Sequence, residues 1–275
     1  MKAALTIAGT AVALSLYVAW RRRVRVLTPT LVADVRAHLG EGPIWHVGRE
    51  ELLFLDILNA KLFCFSPAKR AITVEHDLSA LTAHVSTVVP VAGSRGQVIL
   101  GTTEGLALFD LDIGTTSFCP HPANGTLHGE YVRMNDGKCD PRGRLWIGSI
   151  SRVGPGGADL DPGQAALYCL DGWGSKPTRV LTGVTISNGL CWTGDKFYYI
   201  DSPTCHVDVF DFAADAEGST ALSNRRHAIK VLRLGWGWDG MGWDEMDGMG
   251  RDGMGWDGMG WDGTGWDGVG WDGLE

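Results

Sequence analysis

The 275-residue sequence has no Cys-x-x-Cys pair and no local His/Cys cluster. Its six cysteines, Cys64, Cys119, Cys139, Cys169, Cys191 and Cys205, are spread widely. That spacing excludes a zinc ribbon and argues against a disulfide framework, so reduced, mostly buried thiols are expected. The eight histidines are equally scattered, as befits packing or surface residues. There is no Gly-x-Ser-x-Gly elbow, no P-loop and no dinucleotide fingerprint between a strand and a helix. Serine-hydrolase, nucleotide-phosphate and nicotinamide chemistry of the usual kinds are therefore not indicated. Basic surface is lacking too. The net charge is −8, with five bases in the first 25 residues and ten acids against one base from Gly235 onward, which leaves the middle acidic. No nucleic-acid partner is expected from that distribution. After residue 25 no long segment keeps a helical apolar period.

What is present falls into three parts: 1–25, 31–234 and 235–275. Ala3 to Trp20 is an unbroken run of apolar or small residues, followed at once by Arg21, Arg22, Arg23 and Arg25. About 18 apolar residues is the lower limit for crossing a bilayer. The positive cluster follows the run, against the pattern of a cleaved signal, so a single-pass membrane anchor is expected. The Arg cluster would place the following domain on the cytoplasmic side. The alternative is a cytoplasmic protein.

From Leu31 to Leu234 the texture is all-β. Short apolar or aromatic runs alternate with Gly, Pro, Asn and Asp: Glu51–Asp56, Gln97–Leu100, Leu106–Asp110, Gly143–Gly148, Ala166–Leu170, Lys196–Asp201 and His206–Asp211. A weak unit recurs, comprising a small turn, an aromatic strand and a strand ending near Asp or Gly. A period of roughly 40–50 residues is the signature of propeller blades, and the span holds about four. From Gly235 the chain repeats Trp-Asp-Gly-Met-Gly with variations and holds seven of the 12 tryptophans. A five-residue period matches neither helix nor strand, and glycine makes ordering costly, so a low-complexity tail is expected.

Three polar segments sit beside turn glycines. Glu41 lies between two glycines in Gly40-Glu-Gly-Pro-Ile-Trp45, where it would project from a tight turn. In Arg133-Met-Asn-Asp-Gly-Lys-Cys-Asp-Pro-Arg-Gly-Arg-Leu-Trp146, Arg133 and Asn135 alternate and so share one face of a strand end. Asn135-Asp136-Gly137 and Asp140-Pro141 read as turns. Asn188 precedes Gly189 after an apolar run. Glu41, Asn135 and Asn188 are oxygen donors and, with an added Asp, suit a hard divalent cation such as Ca²⁺, Mg²⁺ or Mn²⁺.

These segments resemble the senescence marker protein/gluconolactonase/regucalcin family. The likeness lies in Glu41-Gly-Pro-Ile-Trp45 with Leu-Leu-Phe-Leu-Asp56, in Arg133-x-Asn-Asp-Gly-Lys-x-Asp-Pro-x-Gly-Arg-Leu-Trp-x-Gly148, and in Ile186-Ser-Asn-Gly-Leu-x-Trp192 with Tyr198-Tyr-Ile-Asp-Ser202. The resemblance implies a six-bladed β-propeller, here about four blades and truncated at the C-terminus, with one divalent cation (Ca, Zn, Mn or Mg). It implies metal ligands at Glu41, Asn188 and Asp239, substrate contacts at Arg133 and Asn135, and Asp239 of Trp238-Asp-Gly-Met241 as acid/base. The implied activity is hydrolysis of a small-molecule lactone of the gluconolactone type. The alternatives are an inactive relic and a non-enzymatic calcium-binding regulator. Where animal-type relatives can carry a substrate-contacting acid, this chain reads Ser151-Arg-Val153.

Overall fold

The structure, a computed structural model, describes residues 28–120, 131–216 and 221–230. The chain divides into a unit ending at Arg36 and a unit starting at Ala37. Of the first, residues 28–36 are described and hold no helix or strand. Among the described residues no helix is long and apolar enough to cross a membrane. The apolar run 3–20, the repeat from Gly235 and Asp239 lie outside the described residues.

The second unit is built from four antiparallel sheets. The first holds β1 (Gly40–His46), β2 (Glu51–Asp56), β3 (Lys61–Ser66) and β4 (Ala71–Asp77). The next holds β5 (Val85–Pro90), β6 (Gln97–Thr102), β7 (Gly105–Asp110) and β8 (Thr116–Pro120). The third holds β9 (Tyr131–Cys139), β10 (Leu145–Val153), the short β11 (Asp159–Leu160), β12 (Ala165–Leu170) and β13 (Thr178–Val184). The last holds β14 (Ser187–Thr193), β15 (Lys196–Asp201), β16 (His206–Phe212) and β17 (Leu222–Lys230). The leading strands of successive sheets are neighbours: β1 meets β5, β5 meets β9, and β9 meets β14. Four meandering sheets standing with their first strands together are four blades of a propeller, as the sequence period predicts.

Three apolar layers hold the blades to one another. Leu53, Leu55 and Leu62 pack with Val88, Leu100 and Phe109 between the first two blades. Val89 and Leu106 meet Met134, Ile147 and Tyr168 between the second and third. Trp146 and Leu167 meet Leu190, Phe197, Tyr199 and Phe210 between the third and fourth. The outermost strands are wetter: β17 is exposed or half-buried along its length, whereas β12 is buried throughout. This gradient explains which strands alternate in the sequence. Strand β15 alternates half-buried and buried residues, because its two faces differ in depth. All six cysteines are free, but only Cys64 and Cys169 are buried; Cys191 is exposed, so the expected burial holds for part of the set.

The strand-end aspartates that mark the repeat serve as latches. Asp56 accepts from the backbone N–H of His38 (2.9 Å) and Leu39 (3.0 Å). Asp201 does the same for Thr185 (3.0 Å) and Ile186 (2.9 Å). Each carboxylate thus ties the end of a second strand to the residues leading into the first strand of its blade. Blades three and four also touch at Gly148. A Cβ there would lie 1.8 Å from Ser187 Oγ and 2.1 Å from Ser187 Cβ. Gly148→Ala is accordingly expected to destabilise the protein by about 3 kcal/mol through overpacking, read as a lower urea midpoint.

Candidate functional site

The innermost strand of every blade slips register once against its partner. The shifts fall between Glu41 and Ile44, between Val85 and Thr87, and between Asn188 and Leu190. In the third blade the residues between Met134 and Gly137 face the single residue Gly148. Such bulges break the in–out alternation and re-aim a side chain. They fall on Ser86 and on Asn135 with Asp136, and directly after Glu41 and Asn188, so every blade carries a polar side chain at or beside its bulge. Asn135-Asp136-Gly137 is therefore not the turn that its composition suggests. It lies inside β9, and the two-against-one pairing absorbs its turn preference. Glu41 likewise sits in β1 at a bulge, where Gly42 takes a φ of 61°, rather than in a free turn.

Hydrogen bonds join these positions. Asn135 Nδ2 donates to Asn188 Oδ1 and to the Ser187 carbonyl, both at 2.8 Å. Arg133 Nη1 donates to Asn135 Oδ1 (2.9 Å) and to the Met134 carbonyl (3.0 Å). Asn188 Nδ2 donates to Ser202 Oγ at 2.7 Å. The predicted residues Arg133, Asn135 and Asn188 thus form one continuous chain across two blades. Ser86 Oγ and Thr87 Oγ1 both donate to the Asn135 carbonyl, fixing the bulge from the second blade. Asp136 accepts from the N–H of Gly137 and of Gly189, each at 2.8 Å. Gly189 can hold that position because its φ is +50° and a Cβ would lie 2.8 Å from Ile200 Cδ1.

The electrostatics are unbalanced in a specific way. Glu41 retains accessible surface, yet the protein around it displaces water, and Asp136 adds a like charge. Burial first and Asp136 second push its carboxyl above the usual range, against a backbone hydrogen bond at Gly42. Burial also pushes Asp136 up, opposed by the Gly189 and Gly137 N–H groups. Burial and the neighbouring Arg152 push Arg133 down to about 10, so it stays charged at neutral pH. Two disfavoured carboxylates side by side form a place that a cation stabilises. Asn188 Oδ1 spends one lone pair on Asn135 and has a second to offer. Glu41 and Asn188 therefore have the chemistry to hold a hard divalent ion, which takes carboxylate and amide oxygens.

Among the described residues no group of three or more His, Cys, Asp or Glu side chains is arranged to hold a metal. Glu41 and Asn188 would need a third donor from elsewhere, and Asp239 lies outside the described residues. Asp136, Ser86 and Ser202 were not singled out from the sequence. Asp136 was hidden in a tripeptide that reads as a turn, and the serines carry no distinguishing pattern. Two clefts, one lined by Leu58, Asn59, Ser79 and Thr82 among others and the other by Arg49, Glu51, Arg95 and Asp112, contain none of the site residues.

Comparison with known proteins identifies the family and supports the fold. Residues 39–254 match the family model described as SMP-30/Gluconolactonase/LRE-like region. A Bacillus subtilis (strain 168) protein named "Putative sugar lactone lactonase YvrE" is 35% identical over 182 residues, covering 64% of this chain and 56% of that protein. Regucalcin of Oryctolagus cuniculus is 32% identical over 203 residues, covering 73% of this chain and 63% of regucalcin. A solved structure of a luciferin-regenerating enzyme superposes with a TM-score of 0.58 at 29% identity, covering 70% of this chain and 61% of that one. The chain spans about three fifths of the length of these relatives. The matched region runs from just before Glu41 past Asn188, and on the strength of that match the chain belongs to the SMP-30/gluconolactonase/LRE-like family.

Proposed function

We propose that the protein hydrolyses small-molecule lactones with the help of one divalent cation. The observation that carries this reading is the meeting of Arg133, Asn135 and Asn188 in one hydrogen-bonded chain on the inner strands of a lactonase-family propeller. Glu41, Asn188 and Asp239 are the proposed ligands. When bound there, the cation supplies Lewis-acid polarisation of the lactone carbonyl. Arg133 orients the ring by donating to its oxygens, and Asn135, whose two Nδ2 hydrogens are spent on Asn188 and Ser187, accepts from a ring hydroxyl through the second lone pair of Oδ1. Asn135 already holds Asn188 in place, so binding and ligand geometry share one residue. Asp239 takes a proton from the attacking water and returns it to the ring oxygen as the acyl C–O bond breaks, giving a hydroxy acid.

Base consumption on glucono-δ-lactone, with chelator and then with Ca²⁺, Mn²⁺, Mg²⁺ or Zn²⁺ restored, tests the reading. Turnover that needs the metal is expected. A folded preparation with no turnover under any metal would end the proposal. The membrane anchor at residues 3–20 is likewise a proposal, resting on the apolar run and the Arg cluster that follows it. Carbonate-resistant membrane association of the full chain, lost on removing residues 1–25, is the expected result. Complete extraction of the full chain would refute it.

A further inference from the structure

The hydrogen-bonded chain through the site has a direction, and its ends fix it. The Ser187 carbonyl can only accept, so the Asn135 atom 2.8 Å from it is Nδ2. The Arg133 guanidinium can only donate, so the Asn135 atom 2.9 Å from its Nη1 is Oδ1. These two anchors agree, and they settle the next link. Asn135 Nδ2 gives its other hydrogen to Asn188, so the Asn188 atom facing it at 2.8 Å is Oδ1. Asn188 Nδ2 therefore points away from Asn135 and donates to Ser202 Oγ at 2.7 Å. A flipped Asn188 amide would set donor against donor at Asn135. Asn135 alone would leave the amide free to swing about one bond, whereas a second bond at the opposite end holds its plane.

Ser202 is itself firmly held. It opens the short 3-10 turn Ser202–Thr204 that follows β15. Its N–H donates to the Ile186 carbonyl (3.1 Å), just ahead of Asn188, and its carbonyl accepts from the N–H of Cys205 (3.3 Å). Thr204 Oγ1 closes the turn by donating to the Asp201 carbonyl at 2.7 Å. Cys205 ends it with a left-handed φ of 55°. None of these bonds uses the Ser202 hydroxyl, which is left to meet Asn188.

We propose that Ser202 is a positioning residue for the cation: its hydroxyl holds the Asn188 amide so that the second lone pair of Oδ1 stays available to the metal. Ser202 acts through Asn188 and touches neither metal nor substrate. The proposal deepens the lactonase reading and rests on it for the cation, while the hold on the amide does not depend on turnover.

The test is Mn²⁺ binding to the full chain by electron paramagnetic resonance, with the Asn188 side-chain amide followed in a proton–nitrogen NMR spectrum of the metal-free protein. Ser202→Ala keeps every backbone bond of the turn. It is expected to weaken Mn²⁺ binding about tenfold, the lower end of what an outer partner of a ligand contributes. Ser202→Thr keeps the hydroxyl and is expected to stay within about threefold of wild type. The Asn188 amide signal is identified as the one missing from Asn188→Asp. It should move upfield and exchange faster with water in Ser202→Ala but not in Ser202→Thr, a local change that general loosening of the fold does not produce. Wild-type affinity in folded Ser202→Ala, an equal loss in the Ala and Thr variants, or an Asn188 amide unmoved by Ser202→Ala would each overturn the role of Ser202 and leave the cation reading standing. A wild type that binds no Mn²⁺ would instead remove the cation reading and this role together.

Discussion

Asp140→Ala is expected to cost about 3–5 kcal/mol of stability, as for a buried ion pair broken from one side. Asp140 heads the Asp-Pro-Arg-Gly-Arg-Leu-Trp segment, and its carboxylate takes four hydrogen bonds. Oδ1 accepts from the N–H of Arg142 (2.9 Å) and Arg144 (3.0 Å), which closes the turn between β9 and β10. Oδ2 accepts from Arg144 Nε (2.6 Å) and Trp146 Nε1 (3.0 Å). The side chains of Asp140 and Arg144 are 0% and 6% exposed. Removing the carboxylate leaves a buried guanidinium and a buried indole N–H without their acceptor, and neither can turn to water. The damage spreads, because Arg144 Nη1 also donates to the Ala216 carbonyl (2.7 Å) and Arg142 Nη1 to that of Ala214 (3.0 Å). The turn of one blade thus fastens the outer loop of the next. Urea unfolding should show the loss as a lower midpoint at unchanged slope. Asp140→Asn, which keeps one acceptor oxygen, should lose less. A midpoint unmoved by Asp140→Ala would contradict this account of the motif.

Glu41→Gln is expected to lower metal-dependent lactone hydrolysis by at least about 10²-fold, since loss of a mere outer-shell partner already costs 10–100-fold. Glutamine keeps the shape and one oxygen but removes the charge that draws the cation. A pH dependence goes with it. Burial and then Asp136 hold Glu41 above the ordinary carboxylate range. The metal requires the ionised form, so affinity should fall with decreasing pH at a higher pH than for an ordinary glutamate. The sign for stability is the reverse of the usual acid case. A raised carboxyl pKa means the folded state binds more protons than the unfolded state. The metal-free protein should therefore lose stability as pH rises through the unfolded and then the folded pKa of Glu41. Saturating metal should restore that loss. Equal activity of wild type and Glu41→Gln at saturating metal would contradict the assignment.

The fold was legible in the sequence wherever a strand packs on both faces or alternates cleanly. Lys196–Asp201 and Glu51–Asp56 coincide with β15 and β2, because apolar and aromatic residues there dominate local preference. The innermost strands were not legible as strands. Strand β9 contains Asn-Asp-Gly and β1 contains Gly-Glu-Gly-Pro, compositions that favour turns when read locally. Tertiary pairing overrides them, and the bulges that make the site are where the override occurs. The candidate residues Glu41, Arg133, Asn135 and Asn188 could be picked out of the sequence because the family motifs mark them together. Motifs do not distinguish chemistry from framework, however. Asp140, Arg144 and Trp146 belong to the same motif as Arg133 and build a structural knot. Asp136 looked like a turn residue and holds the backbone beside Asn188. Only the register of β9 against β10 reveals that Arg152 stands next to Arg133.

The most direct measurement is Mn²⁺ binding by electron paramagnetic resonance, comparing wild type with the Glu41→Gln/Asn188→Ala double variant. The account predicts a single site in the wild type and its loss in a variant that remains folded. Mn²⁺ bound equally well by both proteins would contradict a cation held by Glu41 and Asn188.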